Sequence, residues 1–252
     1  MQDFYQKNYP ANFLKFTVPR IGLIALSCDY IIEKDFLRIC HDQKVNIYVN
    51  RIPYKNPLTG ENLFNMKKHL HSIAEDILPG EKIDIIVYGC TSGSIVIGED
   101  TIIKEIQKSK PDSYVTTPTI SAIKAFKKFS IKKISVLTPY TNEVNKKIFD
   151  YLISHDFEII SFNSYNLELA NETASVDPQS IFETIKKIDY EAADCIFICC
   201  TNLPALEVLD QMEKEIKKTI ISSNQALIWE CLRAINIENA IRGYGKLLME
   251  KI

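Results

Sequence analysis

The sequence predicts an α/β protein made of two pseudo-symmetric halves, each a four-stranded parallel sheet flanked by helices. Three observations lead there. Short β-branched runs alternate with longer amphipathic or charged stretches, and those runs are apolar throughout rather than at every second position. The order of elements in the first half also returns in the second. Strands that are hydrophobic on both faces belong to parallel sheets covered on both sides by crossover helices.

Strands are expected, in order, at 21–26 (IGLIAL), 45–49 (VNIYV), 83–88 (IDIIVY), 114–117 (YVTT), 134–138 (ISVLT), 157–162 (FEIISF), 195–199 (CIFIC) and 219–222 (TIIS). Helices are expected between and after them at 33–41, 61–78, 99–108, 120–129, 142–155, 179–188, 205–216 and 225–234. The first strand ends at Ser27-Cys28-Asp29 and the fifth at Pro139-Tyr140; Cys90 follows the third and Cys200 the seventh. Asp29 lies 61 positions before Cys90, and Tyr140 lies 60 before Cys200. Each of the two cysteines is followed by a threonine, Thr91 or Thr201. Crossover units have preferred lengths, so spacing alone is a weak sign of a repeat; equivalent chemistry at equivalent points strengthens it. The division expected is 1–117 with 226–252 as one half and 118–225 as the other.

Composition excludes several classes. The 252 residues are 46% hydrophobic and 25% charged, as in ordinary globular proteins. Lys+Arg 30 against Asp+Glu 32 leaves no basic surplus for a nucleic-acid partner. No apolar stretch approaches the ~20 residues of a membrane helix, and MQDFYQKNYPANF carries no apolar leader core. Seven cysteines, an odd number without an export signal, suit reduced thiols in the cytoplasm better than a disulfide framework.

Cys90 and Cys200 stand where parallel sheets collect ligands, beyond the carboxyl ends of strands. The residues that follow them, Thr91-Ser92-Gly93-Ser94 and Thr201-Asn202-Leu203-Pro204, are small or polar, and their backbone N–H groups can be aimed at an anion. Only 8 glycines exist in the chain, yet Gly89, Gly93 and Gly98 surround the first cysteine. A single strand-end cysteine is ordinarily core packing; a matched pair suits acid–base or nucleophilic work on two faces of a small carboxylic acid. No cofactor is called for, because GxGxxG and GxxxxGK[ST] are both missing.

The segments YGCTSGS (88–94), LTPYTNEVNKKIFDYL (137–152), CCTNLPALEVLDQME (199–213), SSNQALIWECLR (222–233) and GYGKLL (243–248) resemble the maleate cis-trans isomerase and arylmalonate decarboxylase group of the aspartate/glutamate racemase superfamily. The ectoine-utilisation proteins of that group are similar around Asp29 and Cys90. The resemblance implies that Cys90 is the nucleophile of the isomerases, or one of two acid/bases of the racemases. It implies that Cys200 is the proton donor that the decarboxylases keep after losing the first cysteine. It also implies that Thr91 and Ser92 line an oxyanion hole and that Tyr140 binds a substrate carboxylate. With both cysteines present, an isomerase or racemase of a small carboxylic acid is expected. A decarboxylase using Cys200 alone and a non-catalytic metabolite-binding protein are the alternatives. The resemblance also implies an active site between the two halves and a C-terminal segment that packs back on the first; a homodimer is compatible with it.

Two positions depart from the group's pattern. Asp29 stands where the isomerases carry asparagine, and a carboxylate there repels a dicarboxylate unless protonated or paired. A second substrate-binding asparagine falls at Ala170, with Asn171 one place away. Elsewhere the bland readings prevail. His41, His69, His71 and His155 read as surface residues of helical segments, and no metal site is expected. Cys195 and Cys199 read as core, and so do Cys28, Cys40 and Cys231. Arg51 reads as a surface or interface residue, with pairing to Asp29 or a substrate carboxylate as the sharper alternative.

Overall fold

A computed structural model of the chain describes residues 5–15 and 17–250. Residues 1–4, 16, 251 and 252, all within the expected first half, lie outside the described residues. The elements run β1 (Arg20–Leu26), α1 (Ile32–Cys40), β2 (Asn46–Ile52), α2 (Gly60–Asn65), α3 (Leu70–Glu75), β3 (Ile85–Gly89), α4 (Thr91–Ile97), α5 (Glu99–Gln107), β4 (Tyr114–Thr116) and α6 (Pro118–Lys128). They continue with β5 (Lys133–Thr138), α7 (Asn142–Ser154), β6 (Glu158–Ser164), α8 (Ala170–Ala174), α9 (Pro178–Ile185), β7 (Cys195–Ile198), α10 (Leu209–Ile216), β8 (Thr219–Ser222) and α11 (Ser223–Ala234).

All eight expected strands are present, in two parallel four-stranded sheets ordered β2-β1-β3-β4 and β6-β5-β7-β8. The second sheet repeats the order of the first, which places β1 with β5 and β3 with β7. These central strands are the uninterrupted apolar runs, and apart from a strand-end residue they are fully buried; the edge strands β2 and β6 are only half-buried. Continuous hydrophobicity therefore marks the middle of each sheet. In the second half Phe126 of α6 meets Phe157 and Phe197 edge-on, with centroids 5.2 and 5.1 Å apart, a favoured aromatic geometry.

Caps at the helix starts repeat as the strands do. Thr117 accepts from the Ile120 N–H at the start of α6, and Ser222 accepts from the Gln225 N–H at the start of α11. Three expectations are corrected. The helix at 61–78 is two helices, α2 and α3, joined by a 3₁₀ turn over Met66–His69. Residues 91–97, read as a turn, form α4. The segment at 205–216 opens as a 3₁₀ turn before α10 begins at Leu209.

Helix α1 packs on the start of α11 through Asp35, whose carboxylate accepts from the Asn224 side-chain amide at 2.8 Å. Burial pushes this carboxyl up to about 7; Asn224 and Arg38 act against that rise, while Asp29 and Glu207 add to it. A carboxyl with a raised folded pKa holds its proton longer in the folded chain than in the unfolded one. Stability is then fully present below the ordinary value near 4 and is lost as pH rises toward 7. Asp35→Asn should flatten this dependence. Melting temperatures followed from pH 4 to pH 8 should diverge in favour of the variant, by up to about 4 kcal/mol in stability.

Candidate active site

The carboxyl ends of β1, β3, β5 and β7 converge on one buried cavity of about 20 Å³, room for about one water molecule. Of the residues expected at the site, Cys90, Cys200, Asp29, Ser92, Tyr140, Thr201 and Asn202 all line it. Thr91 does not. As the first residue of α4 it is wholly buried, and its hydroxyl donates to Ser223 Oγ at 3.0 Å, which ties α4 to α11.

Cys90 leaves β3 with an extended backbone and caps α4: its sulfur accepts the Gly93 N–H at 3.2 Å. The α4 segment TSGSIVI has weak helix propensity. Burial and hydroxyl bonds hold it instead, including Ser94 Oγ to the Cys90 carbonyl at 2.6 Å. Only glycine fits at position 93. A Cβ there would stand 2.4 Å from the Tyr88 hydroxyl and 3.0 Å from the Cys90 sulfur. Cys200 occupies the equivalent place after β7 but leads into a turn, where its sulfur accepts the Asn202 N–H at 3.3 Å.

Both thiols are held protonated at neutral pH. Burial pushes Cys90 up to about 11, against the pull of the Gly93 N–H and the Ser92 hydroxyl, and the Asp29 charge adds to the rise. Burial pushes Cys200 up to about 12, against hydrogen bonds from Tyr140 and the Asn202 N–H; Asp29 and Cys90 add to the rise. Burial likewise holds the Tyr140 phenol well above its ordinary range, so it is a neutral donor.

Asp29 begins the turn into α1. Its Oδ1 accepts the Ile31 and Ile32 N–H groups at 2.8 and 2.9 Å, and its Oδ2 accepts the Thr201 hydroxyl at 3.1 Å. Arg51 does not pair with that carboxylate. Its guanidinium donates to the backbone carbonyls of Asp29 and Leu26 and to Glu33, so it braces the loop from outside. Ala170 lines the cavity and its carbonyl accepts from the Asn202 amide at 2.7 Å, whereas Asn171 is exposed and supplies nothing.

Four lining residues went unrecognised in the sequence: Leu26, Cys28, Leu58 and Thr173. Cys28, read as core, is a third thiol of the cavity wall, and burial pushes it up to about 12. Leu58 and Thr173 come from distant segments joined by the Leu58 N–H to the Glu168 carbonyl at 3.1 Å. Cys40, Cys195, Cys199 and Cys231 are buried elsewhere, and none of the four histidines reaches the cavity. Among the described residues no group of three or more His, Cys, Asp or Glu is placed to hold a metal ion, and no helix is long and apolar enough to cross a membrane.

Residues 79–248, most of the chain and eight of the twelve residues that line the cavity, match the model of the arylmalonate decarboxylase family. The chain belongs to that family. Its relatives within and around the family include the maleate isomerase of Alcaligenes faecalis, 21% identical over 181 residues that span 68% of this chain and 71% of that one. The crystal structure of a maleate isomerase from Pseudomonas putida S16 superposes with a TM-score of 0.86 at 19% identity, covering 92% of this chain and 99% of that one. A Nocardia farcinica maleate cis-trans isomerase mutant, solved with a covalently bound succinylcysteine intermediate, superposes at 0.85 with 18% identity, covering 93% and 99%. The family's two-sheet architecture is thus the one described above.

Proposed function

We propose that this member of the arylmalonate decarboxylase family is a cofactor-independent isomerase or racemase of a small carboxylic acid, working with Cys90 and Cys200 on opposite faces of the substrate. The observation that carries the reading is that two cysteines, one from each sheet, line a single cavity with hydroxyl and amide donors around them. Relatives named maleate isomerase, one of them with a succinylcysteine, support the covalent form of this chemistry.

For a cis-unsaturated acid the steps balance as follows. Cys90, a thiol in the resting site, first gives up its proton to water; its sulfur then adds to one alkene carbon, and the Cys200 S–H gives its proton to the other. Rotation about the new single bond follows. The Cys200 thiolate then takes a proton back from that carbon as the C–S bond breaks and the trans double bond forms. For a racemase the same two groups would exchange protons at a saturated α-carbon, one removing and the other delivering. Ser92 and Tyr140, as neutral donors, would hold the carboxylate whose charge grows as an enediolate forms. Thr91, turned toward Ser223, contributes by fixing α4 and not through its hydroxyl.

The same reading takes residues 1–117 with 226–252 as one half and 118–225 as the other, so that each half supplies one thiol. A homodimer and a cytoplasmic setting belong to it as well. The test is a proton-exchange screen in deuterated water over small mono- and dicarboxylates, read by NMR. Deuterium entering an α-position, or a cis signal converting to trans, is the expected result. Release of carbon dioxide from a malonate-type acid, surviving Cys90→Gly, would replace the reading with decarboxylation by Cys200 alone.

A further inference from the structure

The cavity wall is electrostatically one-sided. No Lys, Arg or His is among the described residues that line it, and its only charged side chain is Asp29. The nearest guanidinium, Arg51, is committed to two backbone carbonyls and Glu33, and Asp29's carboxylate is held by N–H and O–H donors without a cation. All three of those donors suit the ionised, acceptor-only form, which has about four lone-pair sites and so keeps one free. The same wall carries the neutral donors Ser92 and Tyr140, enough for one carboxylate, while the Asn202 amide is committed to the Ala170 carbonyl. A dianion here would set two further negative charges beside a third in a closed space with nothing to neutralise them, where like charges repel by several kcal/mol.

We propose that Asp29 sets the substrate class: a monocarboxylate whose second polar end carries hydrogen-bond donors, an amide or an ammonium, and not a dicarboxylate. The donor-bearing end sits against the free acceptor site of Asp29, while the single carboxylate sits against Ser92 and Tyr140. Burial holds the Asp29 pKa above its ordinary value, and the two amides, the Thr201 hydroxyl and the Arg51 charge act against that rise without cancelling it. This assignment rests on the reading of the cavity as the reaction site, but it concerns recognition alone.

The experiment is calorimetric titration of the full chain with three saturated acids that cannot isomerise: succinate, succinamate and 4-aminobutanoate. The wild-type protein should bind succinamate or 4-aminobutanoate about tenfold or more tighter than succinate, and the winner of those two decides between amide and ammonium. Asp29→Asn keeps the side chain's size, replaces an acceptor with a donor and should invert the order in favour of succinate. A wild-type preference for succinate, an unchanged order in the variant, or binding of none of the three at millimolar concentration would overturn the assignment. If the variant does not fold, the wild-type order alone decides. Because no turnover is read, a failed exchange screen would leave this order standing, and an isomerase that prefers succinate would sink only the assignment of substrate class.

Discussion

Cys90→Ala and Cys200→Ala are each expected to lower turnover of the acid substrate by about a thousandfold or more, the usual range for loss of a nucleophile or a proton donor. The double variant should be little worse than either single one, because groups acting in one sequence of steps are not additive. Neither change should unfold the chain. Each removes one sulfur from a cavity wall, and Cys90→Ala also removes the acceptor for the Gly93 N–H, a cap loss of about 1 kcal/mol. Cys90→Ser keeps an acceptor at that position and separates the cap from the chemistry: it should restore stability and not activity. Progress curves beside thermal melts check both. Conversion of substrate by the double alanine variant would remove the two-thiol mechanism altogether.

Glu230→Ala is expected to be the most destabilising single change, by about 5 kcal/mol, because it empties a buried position and leaves the buried Thr116 and Ser121 hydroxyls without their charged acceptor. Glu230 of α11 is 1% exposed. Its carboxylate accepts from Thr116 Oγ1 at 2.6 Å, from the hydroxyls of Ser121 and Tyr114, and from the Lys124 ammonium. Those partners belong to β4 and α6, so one side chain fastens the last strand of the first sheet to the two helices that pack together beside it. For a chain of this size the melting temperature should fall by roughly 10–20 °C. Glu230→Gln, which keeps the shape and one acceptor, should lose less. A melt within a few degrees of wild type for Glu230→Ala would show that the cluster carries no such burden.

The sheets were legible because their central strands must be apolar on both faces, and no other part of this chain has that pattern. The two principal cysteines were legible for a related reason. Strand ends in a repeated α/β unit lie at one rim, so equal spacing brings Cys90 and Cys200 to one place. Helix α4 was not legible, because Thr, Ser, Gly and β-branched residues favour other conformations until burial and the Cys90 cap impose one. Thr91 misled for the same reason: once the segment is helical, its side chain turns toward α11. Cys28 was passed over because in a turn the alternation that marks inward positions in a strand no longer applies. Leu58 and Thr173 carry no local mark of their role, which depends on two loops meeting from remote parts of the sequence. Glu230 likewise carries no local mark, and only the packing of β4 and α6 against α11 gives it four donors.

A chamber with room for a single water molecule does not admit a four-carbon acid as it stands. The Leu58–Glu168 and Asn202–Ala170 bonds join segments of its wall, so admission of such an acid is expected to part or stretch one of them. Each catalytic cycle is then bracketed by two gating events.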